Sequence, residues 1–422
     1  MNESLKVKNF LVVSNADIEI KKINILIGRQ ANGKSVIAKL VYFFRALSVH
    51  FIEGIRNNSA KRDLDKSLID DFEKRFPQYA WEGSDFEIEY RIDNLEVCII
   101  GSLNSNGKTK LSINYSSDLT KIYNSKKNIF IKKINDSKEG DSELFFLREN
   151  KIFYKYVLES LAENDNSKFF SPAIFIPASR SFFANLQRNI FTFMASNLEI
   201  DPFLKEFGSK YENSKRRYGS KFLNIKSGRL EFILKKSIEN IVDGKYEYED
   251  DKDWIKSRGR RVNLINASSG QQEALPMLLT LAVWPYTVYN PNNSMIFIEE
   301  PEAHLFPDSQ SRIVSMITAL SSELNVGFFI TTHSPYVLSA INNNILAGDV
   351  KKKGKVNDKE FMKMSGDGYP IRFEDVSAYT ISNGVTRSIM DEEYRMVGAE
   401  ILDEVSDHFQ DVMNKLTNLE ND

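Results

Sequence analysis

A chain of 422 residues, 42% hydrophobic and 12% aromatic, is long enough for a large α/β head with at least one insertion. Its net charge of −2 excludes a molecule-wide basic field, so contact with nucleic acid would have to come from a local patch. The single cysteine, Cys98, excludes an internal disulfide; within Val97-Cys98-Ile99-Ile100 it reads as a strand residue of a protein kept in a reducing compartment.

Residues Met1 to Lys6 show no apolar segment of signal-peptide type, and a cytoplasmic location is expected. The nearest approach to a membrane span is Ala274 to Tyr289, interrupted by Pro276 and Pro285 and shorter than the ~20 residues a span needs. It reads as a buried helix, and no membrane partner is expected.

Residues 5–20 alternate and predict strands. Ile23-Asn24-Ile25-Leu26-Ile27 is apolar without clean alternation, as in a strand buried on both faces, and it ends at Gly28. From Ser35 the period becomes helical, with Val36, Ile37, Leu40, Val41, Phe44 and Leu47 on one side. Residues 50–80 read as helix with loops. From Asp85 to about Leu147 the runs Phe86 to Tyr90, Lys110 to Tyr115 and Asn128 to Ile131 predict an antiparallel β subdomain, with Asn106-Gly107 as a hairpin signal. Residues 151–163 read as helix. Pro172 to Pro177 reads as a further buried strand, leading into a helix from Ser181.

Residues 200–262 stand apart in composition, with Lys and Arg well in excess of Asp and Glu between Lys205 and Lys236. Tyr211, Tyr218 and Phe222 interleave with these charges and could stack on bases. The stretch 205–236 therefore reads either as a surface tracking a phosphate backbone or as a solvated helical face. Asp243-Gly244 marks a turn, and strands return at Arg261 to Leu264. Helix is expected over 270–284, buried strands over Met295 to Ile298 and Val326 to Ile330, and a helix over Asp308 to Leu324 capped by Asp308 or Ser309. Residues 345–380 read as short strands and loops, and Asp391 to about Asn418 as a charged amphipathic helix. The expected division is 1–199, half a head with the β subdomain; 200–262, a basic insertion or arm; 263–345, the other half; and 346–422, C-terminal strands and helix.

Four short blocks carry the chemistry. Gly28-Arg29-Gln30-Ala31-Asn32-Gly33-Lys34-Ser35 fits G-x-x-x-x-G-K-S between a strand and a helix. Gly28 and Gly33 let the backbone, Asn32 included, curl with its amides toward phosphate oxygens at a helix N-terminus. Lys34 would reach the β and γ phosphates of ATP, and the Ser35 hydroxyl would ligate Mg²⁺. Ile296-Phe297-Ile298-Glu299-Glu300-Pro301-Glu302 places paired carboxylates at a strand end, costly there without a cation. His333, in Thr331-Thr332-His333-Ser334-Pro335, follows the next core strand. Arg180, in Ile176-Pro177-Ala178-Ser179-Arg180-Ser181, could sense phosphate or substrate, or be a surface or capping arginine. No residue is assigned to a Q-loop glutamine.

The block Ala267-Ser268-Ser269-Gly270-Gln271 resembles the L-S-G-G-Q signature of ABC-type ATPases, with Ala267 for the Leu and Ser269 for the first Gly. Together the blocks resemble the soluble heads of the RecF, SMC and OLD-like ATPases, with a mixed central sheet. That resemblance implies that Ser268, Gly270 and Gln271 grip the γ phosphate bound to another subunit, in at least a homodimer. It gives Glu299 the metal-side place, where Asp is usual, Glu300 the base that orients the attacking water, His333 the switch contact to the γ phosphate, and His304 an interface role. Phe297 to Leu305 and Thr331 to Pro335 are closest to the OLD-like branch. Only 89 residues follow His333, too few for the TOPRIM nuclease domain of OLD nucleases, so a nuclease is expected as a separate protein. Gly28 to Leu40, running into Tyr42-Phe43-Phe44, is similar to the ATPase subunit of the PARIS anti-phage defence system. The function this implies is a slow ATPase that holds a separate effector, a TOPRIM-type nuclease, and releases it on sensing a phage-encoded trigger protein. The alternative is a RecF- or SMC-like DNA-binding ATPase of repair or clamping.

Overall fold

The computed structural model describes residues 2–137, 142–163, 167–184, 186, 200–218, 228–355, 357–365 and 369–398. Its strands are β1 (Glu3–Phe10), β2 (Val13–Glu19), β3 (Ile23–Ile27), β4 (Phe86–Ile92), β5 (Leu95–Leu103), β6 (Thr109–Tyr115), β7 (Ala173–Ile176), β8 (Lys245–Glu249), β9 (Lys252–Ser257), β10 (Arg260–Asn263), β11 (Met295–Glu299), β12 (Gly327–Thr332), β13 (Val376–Ser382) and β14 (Val385–Ser388). An eleven-stranded sheet runs β6-β5-β4-β1-β2-β14-β13-β3-β12-β11-β7. From β13 to β7 all neighbours are parallel, whereas β1, β2, β4, β5 and β6 pair antiparallel. The two halves meet at a thin junction, where β14 pairs with β2 only at Val385 and Asn15. This is the mixed α/β architecture, with an antiparallel subdomain, that the sequence predicts.

The parallel strands β3, β11 and β12 are buried at every residue, because helices cover both faces. Period-two alternation sorts their side chains. Phe175, Phe297 and Phe329 face the helix Lys34–Arg56, and Tyr42 of that helix lies 5.5 Å from the Phe297 ring. Ile174, Ile176, Ile296, Ile298, Phe328 and Ile330 face the helices Ser269–Val283 and Pro307–Leu324. Ile23, Ile25 and Ile27 meet the helix Pro335–Lys352. The helix Lys34–Arg56 is also long and apolar enough to cross a membrane by length and composition, but most of it is buried in this core.

Several expectations are corrected. Asn128 to Ile131 lies in the helix Ser117–Asn135, which buries Leu119, Tyr123 and Phe130 at helical spacing behind a Ser116 cap. Residues 345–365 are mostly helical, as Pro335–Lys352 and Asp358–Ser365. The helix Pro307–Leu324 starts at its proline, with Phe306 as cap, because proline suits the first turn. The helix expected from Asp391 begins as a two-stranded ribbon, Met390–Asp391 with Met396–Val397; its remainder, 399–418, lies outside the described residues, as does Phe222. Of the helix expected from Ser181, only the first residues are described.

The segment 200–262 supplies the helices Pro202–Tyr218 and Gly228–Ile241 and a three-stranded antiparallel sheet of β8, β9 and β10. Both helices share one core with Ser269–Val283. Tyr211 is buried there, its hydroxyl donating to Asp253 Oδ2 at 3.2 Å, so it offers no stacking face to a base. Lys215 is buried beside the same Asp253.

Candidate functional site

The loops carrying Gly28–Ser35, Arg180, Glu299–Glu302 and His333 follow β3, β7, β11 and β12. All four leave the C-terminal edge of neighbouring parallel strands, where α/β sheets hold their ligands. Four non-glycine residues at these loops, Ala31, Ser179, Glu300 and His304, adopt positive φ between 45° and 61°. Such backbone costs on the order of 1 kcal/mol or more each and persists where the surroundings impose it.

The glycine loop is seated on two distant parts of the chain. A Cβ on Gly28 would stand 2.8 Å from the Ile381 carbonyl oxygen, and one on Gly33 3.0 Å from Val13. Gly33, at φ 100°, opens the helix Lys34–Arg56. Asn32 Nδ2 donates to the Ile381 carbonyl at 3.4 Å. Lys34 is buried, and its ammonium donates to the carbonyls of Gly28 at 2.7 Å and Arg29 at 2.8 Å. Burial lowers its pKa from the ordinary lysine value, against the opposing pull of Glu300, Glu302 and Glu299. Ser35, next along, is exposed.

His333 joins the glycine loop to the carboxylates. Its Nδ1 lies 3.4 Å from Lys34 Nζ and its Nε2 3.1 Å from Glu300 Oε1. Glu302 Oε1 accepts from the His333 amide at 2.6 Å and from the Thr332 hydroxyl at 2.7 Å. Glu299 is buried, and its Oε2 accepts from the Ala178 amide at 3.2 Å. Glu299 Oε1 and Glu302 Oε2 are buried with no hydrogen-bond partner. Two orphaned carboxylate oxygens beside a lysine, a serine and a glycine loop suit a hard cation, which would offset their desolvation. The carboxylates present therefore fit a hard divalent cation such as Mg²⁺.

Arg180 does not face the site. It is fully buried and its donors are taken: Nε by the Glu273 carbonyl at 2.9 Å, Nη1 by the carbonyls of Pro177 at 2.9 Å and Glu299 at 2.6 Å, and Nη2 by that of Glu300 at 2.9 Å. This corrects the expectation of a phosphate sensor or surface cap. Glu302, Glu273 and the fastening role of Arg180 were not found by sequence reasoning. The acidic cluster Glu299-Glu300-Pro301-Glu302 was the signal available for Glu302; nothing local marks Glu273.

Ser268 and Gln271 form a capping box on the helix Ser269–Val283, and Gln271 Nε2 also donates to the Val242 carbonyl at 2.6 Å. Their bonds run within this segment rather than to the glycine loop of the same chain. Gly270 packs tightly: a Cβ there would stand 2.7 Å from the His304 carbonyl oxygen. His304 itself is exposed.

No curated protein is similar to the chain in sequence. Distant structural likenesses include an SMC head domain from Thermotoga maritima, at 12% identity over 92% of this chain and 98% of that one with a TM-score of 0.36. The Smc head domain from Pyrococcus furiosus, with an extended coiled coil and bound to the C-terminal domain of ScpA, is 12% identical over 96% and 99%, with a TM-score of 0.40. The recombination mediator protein RecF is 12% identical over 92% and 98%, with a TM-score of 0.30. In sequence, residues 173–338, which carry Arg180, the Ser268–Gln271 block, the Glu299–Glu302 cluster and His333, match the AAA_15 family, an AAA ATPase domain.

Proposed function

We propose that the chain binds ATP with Mg²⁺ and hydrolyses it at a site completed by a second copy. The observation that carries this reading is the contact of Lys34, His333 and Glu300 at one sheet edge, beside the orphaned oxygens of Glu299 and Glu302. Gly28, Asn32 and Gly33 cradle the phosphates, and Lys34 exchanges its carbonyl partners for phosphate oxygens. Mg²⁺, held by Ser35 and Glu299, would neutralise phosphate charge. Glu300 takes the proton of the attacking water, and His333, bonded to it, follows the γ phosphate. Ser268 and Gly270 meet the nucleotide of the partner copy, as the resemblance of Ala267 to Gln271 to the ABC-type signature implies.

The narrower reading is a switch that converts its ATP state into capture and release of a separate effector, a nuclease of bacterial anti-phage defence. Its support is the resemblance of Gly28 to Leu40 and Phe297 to Leu305 to such ATPases. A RecF- or SMC-like DNA role is the competing reading; burial of Tyr211 and Lys215 removes part of the surface that it would use.

Titration with a fluorescent ATP analogue tests the core of the proposal. Lys34→Ala should weaken binding about 10- to 100-fold, the worth of a charge-assisted hydrogen bond. Unchanged affinity would refute the assignment.

A further inference from the structure

Glu273 and Arg180 form a buried link between two elements whose roles are otherwise separate. Glu273 sits on the helix Ser269–Val283, just beyond the Ser268 cap. Its Oε2 accepts from the Arg180 amide at 2.9 Å and its Oε1 from the Ser181 amide at 3.0 Å. Its carbonyl accepts from Arg180 Nε, and its carboxylate lies 3.6 Å from the same nitrogen. From there the planar guanidinium reaches the backbone carbonyls of Glu299 and Glu300. Glu300 holds φ 45°, a conformation costly for a side chain of its size, and the bond to its carbonyl helps to impose it. A second contact repeats the connection on the neighbouring loop, where Gly270 meets the backbone of His304. The Ser268 helix and the Glu299–His304 loop thus meet at two points.

Resting on the shared ATP site proposed above, we infer that Arg180 and Glu273 are positioning residues that couple the two sites of a dimer. When the nucleotide of one copy engages the Ser268 helix of the other, the displacement passes through Glu273 and Arg180 to the backbone of Glu300 in that second copy. Each copy's carboxylate is then set by the nucleotide its own helix is holding, and the two sites fire in concert. A guanidinium serves here because it is planar and donates to several carbonyls at once; lysine has the charge without that geometry.

The test uses the full chain and compares Arg180→Lys and Glu273→Gln with the parent. Nucleotide affinity, turnover at saturating ATP, the Hill coefficient of hydrolysis against ATP, and thermal melting are measured together. The parent should hydrolyse with a Hill coefficient approaching about two, as two coupled sites require. In Arg180→Lys, affinity should stay within about threefold of the parent while turnover falls about 100-fold, the scale of a small misplacement of a reacting group. The Hill coefficient should fall to about one. Glu273→Gln keeps one acceptor, should lose turnover less severely, and carries the test if Arg180→Lys does not fold. A folded variant with parental turnover and Hill coefficient would overturn the coupling and leave the ATP site standing. So would a parent that hydrolyses ATP without cooperativity. A parent that binds no ATP overturns the site and the coupling together.

Discussion

Glu302 holds His333 from behind, accepting the histidine amide at 2.6 Å and, beside it, the Thr332 hydroxyl at 2.7 Å. The imidazole is thereby aimed, with Glu300 at one nitrogen and Lys34 at the other. A carboxylate behind the ring thus sets the direction of the residue to which the proposed function gives the γ phosphate. Glu302→Ala should leave nucleotide affinity within a few-fold of the parent and slow hydrolysis about 100-fold through misplacement of His333. Steady-state phosphate release at saturating ATP checks this, and a variant with parental turnover would sink it.

Glu300→Gln removes the proton acceptor of the proposed mechanism and preserves shape. Binding should persist while hydrolysis falls by about 10²–10⁴, the ordinary contribution of a general base. The bound nucleotide should then accumulate in a long-lived dimer, visible by size-exclusion chromatography with light scattering. Phosphate release at the parental rate would show that another group takes the proton.

The proposed sharing of the site between two copies makes a prediction about mixtures. Lys34→Ala lacks its phosphate contact, and Ser268→Arg blocks the helix start offered to a partner. Each alone should be inactive. Combined in verified heterodimers, the two defects fall in one composite site and leave the other whole, so activity should rise above that of either variant alone yet stay below half the parental level, because the intact site lacks its coupled partner. Heterodimers no more active than either variant alone would count against the shared site.

Stability in acid should depend on Glu3. This carboxylate is fully buried; it receives Arg45 at 2.6 and 2.8 Å, the Tyr90 hydroxyl at 2.5 Å and Lys168 at 2.9 Å. Burial by itself raises its pKa, but Arg45 and Lys168 outweigh that and hold it below the ordinary value of 4.5. The unfolded chain therefore binds this proton more readily than the folded one. The stabilisation is fully present above pH 4.5 and is lost as pH falls below it toward the folded value. Glu3→Gln should cost about 3–5 kcal/mol near neutrality by leaving Arg45 buried and uncompensated. It should also flatten this part of the acid dependence, which urea melts at pH 7 and pH 4 would reveal.

Much of this site was legible because its blocks lie at the ends of short apolar runs. Ile23 to Ile27 and Met295 to Ile298 are buried on both faces, so strand, loop and helix follow one another in plain order. What stayed hidden depends on pairings across long stretches of chain. Arg180 looked like a loop arginine until folding brought Glu273 and the carbonyls of Glu299 and Glu300 around it. Tyr211 looked like a stacking residue because basic neighbours surround it in sequence, yet every fourth position of its helix faces inward, and Phe203, Phe207 and Tyr211 are buried together. Asn128 to Ile131 misled for a related reason: four residues are too few to separate period two from the helical period that the whole segment follows.

The seating of the glycine loop also orders events in time. Asn32 and Ile381, which meet in the floor of that loop, are 349 residues apart in the chain. At about 5–20 residues per second, a ribosome needs on the order of 20–70 s to deliver the second after the first. Throughout that interval the growing polypeptide carries Gly28–Ser35 without the Ile381 backbone beneath it. On the proposed function, nucleotide capture must therefore wait for the Ile381 backbone, long after the glycine loop itself has been made.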